Sequence, residues 1–139
     1  MLNIRHTGIV VTDMDVSIDF YTNLLGFEIK KDQIEKGEYT FLGIKDVEVR
    51  TVKMTLINGD MIELLKFHSH TQNNKPSHIT NIGCTHFALT VDNIDFLYDK
   101  LIAAGRQVIN SPTKSLDGKV KVAFCKDPDG TWIELVEEL

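Results

Sequence analysis

The chain has 139 residues, enough for one domain with a substantial core, and its 42% hydrophobic and 25% charged residues are ordinary for a globular protein. A formal net charge of -5 with no basic stripe argues against a nucleic-acid partner. No apolar run reaches membrane-spanning length and MLNIRHTGIVV holds no leader-like apolar segment, so a cytoplasmic protein with no membrane partner is expected.

The first element, Ile4 to Val11, is rich in β-branched residues and reads as a strand. Asp13 stands where a helix N-cap would. Met14 to Leu25 follows as a helix, with Val16, Phe20 and Leu24 at i, i+4, i+8 and Phe20-Tyr21 reading as core packing. Gly26 can stop it. Strands are expected over Phe27 to Lys36, Val47 to Ile57 and Met61 to Phe67, the last two joined by the hairpin signal Asn58-Gly59-Asp60. A polar, aperiodic linker containing Pro76 runs over residues 68–82.

The second half repeats that order. Thr85 to Val91 reads as a strand, Asp92 as a cap, Ile94 to Ala104 as a helix ended by Gly105, and Gln107 to Ile109 as a short strand. Val120 to Cys125 and Trp132 to Val136 are strands joined by the turn Asp127-Pro128-Asp129-Gly130. Asp13 to Gly26 and Asp92 to Gly105 both span 13 residues, and Gly59-Asp60-Met61-Ile62-Glu63-Leu64 matches Gly130-Thr131-Trp132-Ile133-Glu134-Leu135 without a gap. One β-α-β-β-β unit cannot cover its own sheet face. The expected fold is therefore α+β: one domain over residues 1–139, with modules at about 1–67 and 83–139. The two modules are expected to form one curved, mainly antiparallel eight-stranded sheet with a concave cleft that binds metal.

Two carboxylates interrupt apolar strands at the same place in the repeat: Glu63 in Met-Ile-Glu-Leu-Leu and Glu134 in Trp-Ile-Glu-Leu-Val. A carboxylate on such a strand is costly unless paired, neutralised or bound to a metal. His6 and His86, each in the first strand of its half, can answer them. Two imidazoles and two carboxylates suit Zn, Ni, Co, Fe or Mn better than Mg or Ca. Taken singly, a strand His is more often a core or surface residue and a strand Glu a solvated one. The recurrence of both types at matching places is what favours a shared site.

Other candidates are weaker. His68, His70 and His78 lie in or beside the polar linker, where solvated loop residues are the better reading. Cys84 and Cys125 lack a CxxC spacing and read as reduced thiols, and Cys84 stands two residues before His86. Arg5, Arg50, Arg106 and Lys121 are candidate clamps for an anionic substrate, although exposed charges at strand ends explain each more simply.

These segments resemble the vicinal oxygen chelate superfamily, which includes glyoxalase I, methylmalonyl-CoA epimerase, extradiol dioxygenases and the fosfomycin and bleomycin resistance proteins. The matching residues are His6-Thr-Gly-Ile-Val-Val-Thr-Asp13, Asp19-Phe20-Tyr21 with Leu25-Gly26-Phe27, His86 with Asp92, and Asp127-Pro128-Asp129-Gly130 leading to Ile133-Glu134-Leu135. The resemblance implies paired modules, a homodimer, and one divalent metal per site, Ni, Zn or Co before Fe or Mn. His6, Glu63, His86 and Glu134 match the His, Glu, His, Glu order typical of glyoxalase I (lactoylglutathione lyase). The activity implied is that of a lyase/isomerase: proton transfer through a metal-stabilised enediolate on a small α-hydroxycarbonyl thiol adduct, such as a hemithioacetal. Glu134 is implied as general base and Glu63 as its catalytic partner. Bacterial glyoxalases carry an Arg four residues after the first ligand, where this chain has Val10, which leaves the thiol open. The alternatives are a methylmalonyl-CoA epimerase-like enzyme and a non-enzymatic small-molecule-binding protein of the resistance type.

Overall fold

The structure is a computed structural model, and it describes residues 1–39, 42–71 and 78–139. The middle of the linker, residues 72–77, lies outside the described residues. The chain divides into two compact units, Met1–Asn74 and Lys75–Leu139.

In the first unit β1 (Thr7–Val10) is followed by α1 (Met14–Asp19), which continues as a π-helical turn over Phe20–Leu24. Then come β2 (Glu28–Tyr39), β3 (Ile44–Thr55) and β4 (Met61–Phe67). In the second unit the order is β5 (His86–Thr90), α2 (Ile94–Ala103), β6 (Thr113–Lys114), β7 (Val120–Lys126) and β8 (Trp132–Glu138). Both units are thus βαβββ, and the strand orders β1-β4-β3-β2 and β5-β8-β7-β6 correspond one to one. The first and last strands of each unit pair in parallel and the others antiparallel.

The expectation of one eight-stranded sheet is corrected: the eight strands form two four-stranded sheets. The parallel β1–β4 and β5–β8 pairings close each hydrogen-bonded ladder inside its own half. The short strand expected over Gln107 to Ile109 is reduced to a single bridge, Val108 to Cys125, and Thr113–Lys114 is the strand that pairs with β7. Among the described residues no helix is long and apolar enough to cross a membrane.

Each sheet has a core face and a second face. Ile62 and Leu64 are buried and pair across to Met54 and Val52. Ile133 and Leu135 are buried and pair to Cys125 and Ala123. Glu63 and Glu134 fall between those buried residues, so the period of two sends both to the other face. Gly59 and Gly130, each preceding its final strand, share φ of +91°, a region that costs glycine little. The Asp127 carboxylate accepts the backbone N–H groups of Asp129 (2.9 Å) and Thr131 (2.8 Å), which fixes the second turn.

The helix caps correct one residue. Asp13 Oδ1 accepts the Val16 N–H at 3.1 Å, as expected, but in the second unit Asn93, not Asp92, is the cap, with Oδ1 accepting from Phe96 N–H at 2.9 Å. His6 to Asp13 and His86 to Asn93 are then both seven residues. The first helix is one residue longer from cap to glycine, and the π turn absorbs it. At the end of α2, Gly105 N–H reaches Ile102 O and Arg106 N–H reaches Leu101 O, an ordinary Schellman closure. After α1, Gly26 N–H reaches Thr22 O and Phe27 N–H reaches Tyr21 O, the same closure widened by one residue. The buried residues are Met14, Ser17, Phe20 and Tyr21, while Val16 is exposed, against the expected Val16, Phe20 and Leu24 stripe.

Arg50 and Lys121 occupy equivalent positions, each three residues along from the carboxylate row: Arg50 opposite Lys66, Lys121 opposite Glu137. Each binds the acid two residues after the cap of its own helix, Arg50 with Asp15 (3.6 Å) and Lys121 with Asp95. Arg50 also grips Asp32 with two hydrogen bonds, Nε to Oδ1 at 2.9 Å and Nη2 to Oδ2 at 2.7 Å. These two cations tie strand to helix, Arg50 from the middle of β3 and Lys121 from the start of β7, and both are already paired with acids.

Candidate metal centre

In the second unit the expected pair meets. His86 Nε2 lies 3.2 Å from Glu134 Oε2. His86 opens β5 and Glu134 sits mid-β8, and the parallel register that sets Ala88 opposite Glu134 brings the imidazole to the carboxylate. Phe124 pairs directly across from Glu134 and meets the His86 ring edge-on, with centroids 5.3 Å apart at 74°. Trp132 stacks next, edge-on to Phe124 at 6.3 Å, with Lys126 Nζ over its ring at 4.4 Å. The Glu134 carboxylate thus has an aromatic wall on one side and an imidazole on the other.

The first unit repeats the register. Gly8 is opposite Glu63, as Ala88 is opposite Glu134, and each lies two residues after the histidine. His6 stands immediately before β1, and its Nδ1 is buried with no hydrogen-bond partner among the described residues. Glu63 faces Lys53 instead of an aromatic ring, with Nζ 3.7 Å from Oε2. The four expected residues therefore fall into two pairs, one in each unit. Only His86 and Glu134 are in direct contact. Among the described residues no group of three or more His, Cys, Asp or Glu is gathered to hold a metal.

The donors fit a divalent ion on two grounds. Two ligands on one ion, with bonds near 2.1 Å, stand about 2.9–3.4 Å apart, and the His86–Glu134 separation of 3.2 Å falls in that range. A buried imidazole nitrogen without a partner is costly unless something ligates it, and His6 Nδ1 is such an atom. His68, His70 and His78 lie outside both pairs: His70 takes positive φ of 55° in the linker and His78 Nδ1 bonds the Thr80 hydroxyl at 2.7 Å. Cys125 is buried, and burial, with the Asp127 charge adding, pushes its thiol up to about 12, so it stays protonated and poor as a ligand. The signal missed in the sequence is Lys53, whose place opposite Glu63 depends on strand register.

The sequence profile of the Glyoxalase/Bleomycin resistance protein/Dioxygenase superfamily matches residues 3–135. The chain belongs to this superfamily. It is 32% identical over 137 residues to a probable lactoylglutathione lyase of Vibrio cholerae, covering 96% of this chain and 89% of that one. It is 31% identical over 143 residues to the lactoylglutathione lyase of Escherichia coli O157:H7, covering 99% and 93%. A glyoxalase family protein from Bacillus cereus shares its fold with a TM-score of 0.90 at 22% identity, covering 100% of this chain and 95% of that one.

Proposed function

We propose that the chain is a divalent-metal-dependent, glyoxalase I-like lyase/isomerase, with His6, Glu63, His86 and Glu134 holding one ion. The carrying observation is the identical register of the two His–Glu pairs, seen directly as the 3.2 Å contact between His86 and Glu134. The likeness to lactoylglutathione lyases supports the same reading. Each unit supplies two ligands, so the set is completed by both modules, of one chain or of two chains in a homodimer.

A bound divalent ion would supply Lewis-acid stabilisation of negative charge on the substrate's carbonyl oxygen. The protein's own part is proton movement. Glu134, as carboxylate, takes the proton from the carbon beside the carbonyl at one oxygen and returns it to the neighbouring carbon. Its surroundings suit a base, because Phe124 and Trp132 exclude water on one side and His86 holds the carboxylate in place. Glu63 is the partner carboxylate, its charge met by Lys53. With a hemithioacetal as substrate, one proton moves between adjacent carbons and the hydroxyl proton passes to the former carbonyl oxygen, so the product is a 2-hydroxyacyl thioester with no net oxidation.

The test is hemithioacetal isomerisation by protein reconstituted with Ni or Zn. Turnover that disappears on chelation and returns with metal is expected. No turnover with either metal, beside a working glyoxalase control, contradicts the proposal.

A further inference from the structure

Beside the Lys53–Glu63 pair the first unit carries a second lysine that the proton-transfer chemistry leaves unused. Across its sheet, one row of paired residues reads Gly8, Glu63, Lys53, Lys31. Directly paired residues point to the same face, so two lysines stand side by side there. Like charges directly opposite are destabilising in a sheet. Glu63 meets only one of them, at 3.7 Å, too long for a hydrogen bond. Lys31 is exposed and has no ion pair among the described residues. The two ammonium groups therefore keep their N–H donors for an outside acceptor. The equivalent row of the second unit reads Ala88, Glu134, Phe124, with an aromatic ring in place of the cation. The repeat has thus diverged at one position beside each carboxylate.

We infer that Lys53 and Lys31 form an oxyanion subsite beside Glu63, selecting substrates that carry a carboxylate in addition to the oxygens at the reacting centre. This inference rests on the metal-site reading above. It makes Lys53 a specificity residue that touches the substrate's remote end and leaves the reacting carbons to Glu134.

The experiment loads the full-length protein with one equivalent of Ni(II) and titrates two hydroxamates by calorimetry. Succinomonohydroxamate and butyrohydroxamate share the same chelating head and carbon count and differ in a terminal carboxylate or methyl. The wild type should prefer the carboxylate by roughly tenfold, as expected for charge-assisted hydrogen bonds. High salt should shrink that preference. Lys53→Met with Lys31→Met should abolish it, and Lys53→Arg should keep it. Thermal melting and nickel content check that each variant is folded and loaded. If the double variant does not fold, Lys31→Met alone, at an exposed position, should lose part of the preference. Nickel uptake with equal affinity for the two hydroxamates overturns the lysine subsite and leaves the metal site standing. Failure of the wild type to take up nickel overturns both.

Discussion

The two units use one backbone plan to surround two carboxylates differently. Glu134 has Phe124 across the strand and His86 within 3.2 Å. Glu63 has Lys53 across the strand, and His6 keeps a buried Nδ1 with no partner among the described residues. An aromatic wall keeps water from one side of a carboxylate, whereas an ammonium sets an opposite charge beside it. Under the proposed function, the duplicated fold would keep one ligand pattern and divide the labour, with proton transfer in the second half and a charge pair in the first.

The largest effect should break that division. Glu134→Gln keeps the shape and removes the base, and should lower kcat roughly 10²–10⁴-fold in the hemithioacetal assay. An equally large loss of kcat in Glu63→Gln at full metal occupancy would show the halves to be interchangeable. Next, Phe124→Lys gives the second half the first half's cation. An ammonium paired to Glu134 would draw the carboxylate away from the substrate, and kcat should fall about tenfold in the same assay, the equivalent of about 1.4 kcal/mol.

Smaller effects sharpen the comparison of the caps and ties. Asn93→Ala should cost about 1 kcal/mol in a urea melt. Asp92→Ala, one residue away, should leave stability nearly unchanged, because Asn93 makes the cap bond. The smallest effect concerns Asp32, whose carboxyl the two Arg50 hydrogen bonds hold below its ordinary 3.8, against a partial opposing effect of burial. A depressed carboxylate stabilises the fold above its unfolded value, and that gain is lost as pH falls through the folded one. Asp32→Asn should thus cost about 0.5 kcal/mol near neutral pH, an exposed-pair figure. The gap to wild type should close in acid below 3.8.

Much of the fold was legible because repetition leaves a mark on sequence. The Met61–Phe67 strand and the Asn58-Gly59-Asp60 turn follow from alternation and turn chemistry alone, and the repeat pointed to His86 beside Glu134, while His6 falls just before its strand. The equal 13-residue spacings from Asp13 and Asp92 to their glycines hid two differences that cancel. The second cap falls one residue later, at Asn93, and the first helix is one residue wider at its π turn. Asp92 and Asn93 are both good cap formers, so composition does not choose between them. Division into two sheets was equally hidden, because strand periodicity names faces and not partners. Lys53 escaped for the same reason: a residue ten positions before Glu63 becomes its neighbour only through the β3–β4 register.

Joint binding of one divalent ion by the two pairs is tested most directly by elemental analysis of tag-free protein after nickel or zinc loading and desalting. One ion per chain is predicted, with most of the occupancy lost in His6→Ala and in His86→Ala alike, since each unit supplies half the ligands. Absence of stoichiometric metal in the wild type, or full occupancy in either variant, would contradict a shared site.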